Sequence, residues 1–407
     1  MDRYKKSTAS HGGELKDTDK NIKYDFSVNI NHLGLPEGVK TALLEKSGIY
    51  TDYPDPYCIR LRDALAEKEG VRPEQIVCGS GASDIIYRVC GALDIKRALI
   101  PVPAFSEYER ALRLNGADAE YIYTSPDDGF ALTDELFEKW AREQAARDRR
   151  DIPDAVFLCD PTNPSGRLLE PGLIAGVYDW CRQNGALLIA DECFLEFHEK
   201  RNDITLLNII RNNNKKIYSE NIKNEINNAE IRKTDGAPAR LKESRGHSGI
   251  IVINAFTKIY SMAGLRLGYA VCSHEETASR LSRYAPHWNV SGPAQAAGAA
   301  AIKEKAYLEK TVRYIKKERM RLSAELSSAL AEKDSSFKIF ESDANYILFT
   351  APAGLAEHMA DEGIAIRDCG NYEGLAGRTE HFYRVAVRSE NEDDIMLETL
   401  RRCLRWL

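Results

Sequence analysis

The chain has 407 residues, 43% of them hydrophobic, enough to bury a substantial core and to fill two domains. Its net charge of -6 comes without a long basic run, which argues against a general nucleic-acid surface, and no apolar stretch approaches the roughly 18–20 residues of a membrane span. The nine cysteines form no CxxC pair and the eight histidines no HExxH cluster, so the expectation is reduced structural thiols, a cytoplasmic protein and no metal.

Short apolar strands alternate with helices through the middle of the chain. "EQIVCGSG" reads as a strand and turn, and "ASDIIYRVCGAL" as a helix with apolar residues at helical spacing. "RALIPVP" is a strand, and "FSEYERALRLNG" a helix closed by Gly116. "AVFLCDP" and "ALLIADECF" flank the helix "PGLIAGVYDWCRQNG"; "GIIVINAF" and "LGYAVC" continue the series. The alternation predicts an α/β domain with a mostly parallel sheet over residues 49–283. An Asn-, Lys- and Glu-rich stretch at about 210–248 reads as a surface insertion. Further on, the long amphipathic helix "AYLEKTVRYIKKERMRLSAELSSAL" precedes the strands "FKIFESDANYILFT", "GIAIRDC" and "FYRVAVR" and a closing helix. That pattern predicts a smaller α+β domain over 284–407, with residues 1–48 forming an arm and part of it.

Polar residues gather at the strand ends, where ligands collect in open α/β sheets. "GSGAS", residues 79–83, is either a tight strand–helix turn or a phosphate cradle of backbone N–H groups. Asp191 ends "ALLIAD", and a carboxylate there is costly unless it caps the next segment or holds a cation. Asn163 lies in the turn "CDPTNPSG", Phe105 at a strand–helix junction, and Lys258 and Arg266 follow the strand "GIIVINAF".

In this order the set resembles the class I/II aminotransferase family, the fold-type I enzymes that depend on pyridoxal 5'-phosphate. The resemblance covers the chain apart from the insertion. It implies that Lys258 carries the cofactor through its ε-amine and then serves as general acid and base, the role of a released catalytic lysine. Asp191 would hold the protonated pyridine nitrogen, Phe105 would stack on the ring, and Asn163 would donate to the ring oxygen. Ala82, Ser83, Thr257 and Arg266 would bind the phosphate. Tyr53 in "TDYPDP" resembles the tyrosine that reaches the neighbouring subunit's cofactor, which implies a homodimer. Arg384 in "FYRVAV" resembles the arginine on the substrate carboxylate.

"HGG" at 11–13 and "YDFSVNINHLGLP" at 24–36 resemble the L-threonine-O-3-phosphate decarboxylases of cobalamin biosynthesis, close relatives of the histidinol-phosphate aminotransferases. "YPDPYCIRLRDALAE", "PAFSEYERAL", "DECFLEF" and "YRVAVR" lean the same way, and Phe194 stands where the aminotransferases commonly carry Tyr. The resemblance implies a substrate held by His11, Asn31, Asn163, Arg367 and Arg384. The expected reaction is decarboxylation of O-phospho-L-threonine or a related phosphorylated amino acid such as phosphoserine, with histidinol-phosphate transamination as the alternative. Four residues depart from the pattern: Ala255 where a Ser or Thr is usual, Asp160 and Thr162 where Asn is common, and His32 in place of Pro. The last is expected near the substrate.

Overall fold

The computed structural model describes residues 12–13, 21–45, 48–215 and 249–407; His11 and residues 216–248 of the expected insertion lie outside them. The strands are β1 (Tyr24–Asp25), β2 (Ile76–Gly79), β3 (Arg97–Val102), β4 (Asp118–Tyr123), β5 (Ala155–Cys159), β6 (Leu187–Asp191), β7 (Gly249–Ala255), β8 (Gly268–Cys272), β9 (Tyr346–Ala351), β10 (Ile364–Ala365), β11 (Arg367–Asp368) and β12 (His381–Ala386). A seven-stranded sheet has the order β2-β8-β7-β6-β5-β3-β4. Only β8 runs antiparallel to its neighbours in it, so the expected mostly parallel α/β sheet is present.

Each residue of β6 and β7 is buried, as parallel strands covered on both faces must be. Successive side chains go to opposite faces: Leu187 and Ile189 join one apolar cluster, Leu188 and Ala190 the other. Helices close both layers. One of them, Pro171–Asn184, has proline in its first turn and ends at Gly185, whose left-handed backbone lets its N–H reach the Cys181 carbonyl.

Two expectations change in detail. The edge strand β4 has no expected counterpart, because its sequence "DAEYIY" is mostly exposed or half-buried and carries little apolar signal. "FKIFESDANYILFT" yields a strand only over Tyr346–Ala351, with a single bridge from Ile339 to Phe349. Residues 207–215, at the start of the expected insertion, are helical.

The C-terminal part holds a three-stranded sheet, β11-β12-β9, and β1 pairs with β10. Phe26 donates its N–H to the Ala365 carbonyl at 2.7 Å and accepts from Ala386 N–H at 2.9 Å. These bonds hold residues 25–29 against β10 and β12, facing the C-terminal ends of β5, β6 and β7. Among the described residues no helix is long and apolar enough to cross a membrane, and no cluster of His, Cys, Asp and Glu could hold a metal. All nine cysteines are free, and eight are buried.

Candidate active site

A cavity of about 400 Å³ opens at the C-terminal ends of the parallel strands. Its wall contains Ala82, Ser83, Phe105, Asn163, Asp191, Thr257, Lys258, Arg266, Arg367 and Arg384, ten of the residues singled out from the sequence. The fold brings them together because the tip of nearly every strand in the large sheet supplies one or two.

The phosphate end is built from β2, the helix Ala82–Ala92 and the turn before β8. The helix starts after Gly81, whose φ is +92°, and offers its unpaired N–H groups at the cavity. A Cβ at Gly81 would sit 2.7 Å from Arg266 Nη2, and one at Gly268 would sit 2.7 Å from Ala82 N. These glycines let the guanidinium and the helix N-terminus converge on one anion. Arg266 itself is held at φ +54°, a left-handed conformation that a non-glycine residue adopts at a cost. Asp84 ties the turn down, accepting from Ser80 N at 2.8 Å and from the buried Arg88.

Asp191 and Glu192, adjacent in sequence, take opposite sides. Asp191 enters the cavity, and its Oδ2 accepts from the Tyr108 hydroxyl at 2.7 Å. Burial first, then the nearby Asp191 carboxylate, raise the Tyr108 pKa, so this phenol stays a donor. Glu192 instead caps the following segment, accepting from the Thr205 hydroxyl at 2.6 Å and Leu206 N at 2.7 Å. Lys258 lies on the short helix Phe256–Ile259 just after β7. Burial, followed by the positive charge of Arg384, lowers its ammonium pKa from 10.5 to about 8.

The opposite wall is cationic. Arg367 and Arg384 are direct cross-strand partners on β11 and β12, 6% and 5% exposed, and both line the cavity. Arg384 donates Nη1 to Asn163 Oδ1 at 2.5 Å and Nη2 to the Ser27 carbonyl at 3.1 Å. Its buried Nε has no partner among the described residues. Its guanidinium lies 5.2 Å from the centre of the Tyr346 ring, which Phe194 supports edge-on at 5.0 Å. Phe194 therefore acts as a buttress with no hydroxyl to give a ligand.

The remaining expected residues are placed elsewhere. Asn31 is not in the cavity wall: its amide nitrogen lies 2.8 Å from the Ile259 carbonyl and 2.9 Å from both the Tyr307 and Thr311 hydroxyls, so it pins the chain next to Lys258. Asn29, two residues earlier, lines the cavity in its place. Tyr53 is 81% exposed, its ring tilted against Trp288 at 4.7 Å between centres, and it does not line this chain's cavity. His32 also points away from the cavity, its ring 4.3 Å from Tyr314, so its departure from proline does not meet the substrate side. Asp160 is a buried loop anchor: it accepts from Leu169 N at 2.9 Å, and burial pushes its carboxyl up to about 8. Ala255 does line the cavity, so a hydroxyl is missing from the cradle itself.

Residues not foreseen include Ser27, Tyr108, Cys193 and Tyr372. Ser27, Tyr108 and Cys193 lie inside motifs singled out from the sequence without being picked from them, whereas Tyr372 carried no local signal.

The model of the aminotransferase class I and II family matches residues 21–400. The chain belongs to that family. Among curated proteins, this class I/II member is 30% identical to the threonine-phosphate decarboxylase of Salmonella typhimurium, over 97% of each chain. It is 26% identical to histidinol-phosphate aminotransferase 2 of Archaeoglobus fulgidus, over 93% of this chain and 92% of that one. Among solved structures, the histidinol-phosphate aminotransferase from Clostridium acetobutylicum superposes with a TM-score of 0.75 at 25% identity, covering 94% of this chain and all of the other.

The family's cofactor is pyridoxal 5'-phosphate, and the donors fit it. The cradle of Gly81, Ala82, Ser83, Thr257 and Arg266 suits its phosphate, Asp191 its pyridinium, Phe105 its ring face and Lys258 its aldehyde. Replacing Tyr108 by Phe removes one charge-assisted bond to Asp191, worth about 1.5–3 kcal/mol. The expected result is a fall of roughly tenfold or more in kcat with KM nearly unchanged, measured under saturating cofactor.

Proposed function

We propose that this class I/II enzyme decarboxylates O-phospho-L-threonine, or a related phosphorylated amino acid such as phosphoserine, to an amino-alcohol phosphate for cobalamin biosynthesis. The observation that carries the reading is the register Arg367↔Arg384, with both guanidiniums in one cavity beside Lys258. Like charges directly opposite each other on a sheet are destabilising unless anions lie between them. A substrate bearing both a carboxylate and a phosphate supplies two. The similarity to the Salmonella typhimurium threonine-phosphate decarboxylase supports the same reading.

When bound, pyridoxal phosphate supplies an electron sink conjugated to the substrate's Cα. In this reading Arg384 and Asn163 hold the α-carboxylate and Arg367 the phosphate, which fixes the rotation about Cα. Which Cα bond is broken would be set by how these residues orient the substrate, the carboxylate for a decarboxylase and the Cα–H bond for a transaminase; positioning selects the reaction. With the group bound, Lys258 Nζ would deliver the proton that replaces the departing carbon dioxide at Cα. Asp191, braced by the Tyr108 hydroxyl, would hold the ring nitrogen. Exposed Tyr53, Tyr57 and Trp288 offer an aromatic face to a second copy of the chain, consistent with the homodimer in which Tyr53 reaches the neighbouring cofactor.

The alternative is a histidinol-phosphate aminotransferase, favoured by the similarity to the Clostridium acetobutylicum enzyme. The two differ in one assay, in which the holoenzyme receives O-phospho-L-threonine and no 2-oxo acid. Sustained release of carbon dioxide with an aminopropanol phosphate is the expected result. No release, with amino transfer once histidinol phosphate and 2-oxoglutarate are added, would overturn it.

A further inference from the structure

We infer that the turn after β11, residues 369–376, sets selectivity for a phosphorylated side chain, with Asn371 and Tyr372 as positioning residues for Arg367. This rests on the proposed role of Arg367 as the ligand of the substrate phosphate. Arg367 donates Nη2 to Asn371 Oδ1 at 2.8 Å, and its guanidinium carbon lies 5.3 Å from the centre of the Tyr372 ring. One contact fixes the direction of the fork and the other fixes its plane. Arg367 and Tyr372 are both buried in the cavity wall, whereas Asn371 is exposed behind them.

The turn is built to hold that arrangement. Cys369 N–H reaches the Phe382 carbonyl at 2.8 Å, Gly370 N–H reaches Asp368 Oδ1 at 2.7 Å, and the Tyr372 carbonyl accepts from Leu375 and Ala376 at 3.0 Å. Cys369, Tyr372 and Leu375 pack with Phe130, Phe340 and Phe382 in a separate apolar cluster. The far end docks on the large sheet. Gly374, at φ +85°, lies where a Cβ would come within 3.4 Å of Pro103 N, and the Tyr123 hydroxyl donates to Glu373 at 2.8 Å. The turn thus spans from β12 to the tips of β3 and β4.

A free arginine side chain loses substantial rotamer entropy when it binds an anion, and ordering it beforehand removes that cost from binding. A stacked, hydrogen-bonded guanidinium presents its planar fork to a tetrahedral phosphoryl group in a set direction. The ligand class is an α-amino acid with a phosphoryl group on a short side chain. Arg384 across the ladder takes the carboxylate end.

The test compares O-phospho-L-threonine with L-threonine on the holoenzyme, by absorbance titration of the bound cofactor and by kcat and KM. Asn371→Ala touches an exposed side chain, and Tyr372→Leu removes the ring. Each is expected to weaken binding of the phosphorylated ligand about fivefold to twentyfold, the loss of one charged hydrogen bond or cation–π contact. In Asn371→Ala, whose side chain lies outside the cavity, KM rises with kcat within about twofold and L-threonine binding is unchanged, as an effect through phosphate recognition requires. Tyr372→Phe, which keeps the ring, is expected to restore the preference. If Tyr372→Leu does not fold, Asn371→Ala decides. A preference lost in Arg367→Gln but retained in Asn371→Ala and Tyr372→Leu refutes the role of the turn and leaves the proposed reaction standing. No preference in the wild-type enzyme, and no effect of Arg367→Gln, refutes both.

Discussion

Replacing Lys258 by alanine is expected to abolish multiple turnover and the absorbance band of the lysine-bound cofactor. The expected loss is at least the roughly 10²–10⁴-fold that a positioned general acid–base group contributes, because in the proposed role the same amine also carries the cofactor. Noncovalent cofactor binding through the proposed phosphate cradle of Arg266 and the Ala82 helix end is expected to survive. Sustained turnover by Lys258→Ala would refute its assignment. The wild-type lysine also predicts a pH dependence. Burial holds its folded pKa at about 8, below the ordinary lysine value of 10.5, so the folded cofactor-free protein binds fewer protons than the unfolded chain between these values. Stability from this group therefore rises with pH across that interval, and burying the charged form costs most below about 8. Capture of the cofactor aldehyde needs the neutral amine, so its rate should climb about tenfold per pH unit up to about 8 and then level. A profile still rising at pH 10 would show an unperturbed lysine.

Arg384→Gln is expected to lower kcat/KM by a factor of roughly 150, from a loss of about 3 kcal/mol. The change removes the guanidinium that bonds Asn163 and the Ser27 carbonyl and leaves both buried partners to find new ones. Arg384→Lys keeps the charge and is expected to recover less than tenfold, because a point ammonium cannot reach Asn163, Ser27 and a carboxylate at once. Thermal unfolding separates this loss from misfolding: a variant with wild-type Tm and cofactor absorbance but the predicted kcat/KM isolates the substrate contact. Unchanged kcat/KM in Arg384→Gln would remove Arg384 from the substrate site.

Much of this was legible along the chain because fold-defining strands and ligand-bearing tips are adjacent in sequence. The runs ending in Cys159, Asp191 and Ala255 carry both the buried apolar pattern and the polar residue that follows it. Order and spacing alone therefore placed Asn163, Asp191, Lys258 and Arg266 on one rim. Asp191 and Glu192 show the limit of that argument. Either carboxylate could have faced the cavity; the pleat turned one toward Tyr108 and the other toward Thr205.

The sequence by itself determined the parallel α/β sheet, the place of Asp191 and Lys258 at the ends of buried strands, and the presence of two arginines in the C-terminal part. Tertiary structure alone decided which of two nearby asparagines lines the cavity, since Asn31 is held by Ile259, Tyr307 and Thr311, 228 to 280 residues away. It also decided that Arg367 and Arg384 stand opposite each other, and that Tyr372 and Asn371 brace one of them. Periodicity reports which face of a strand or helix is buried, but register and side-chain contact between distant segments are settled only when the sheets pair and the core closes.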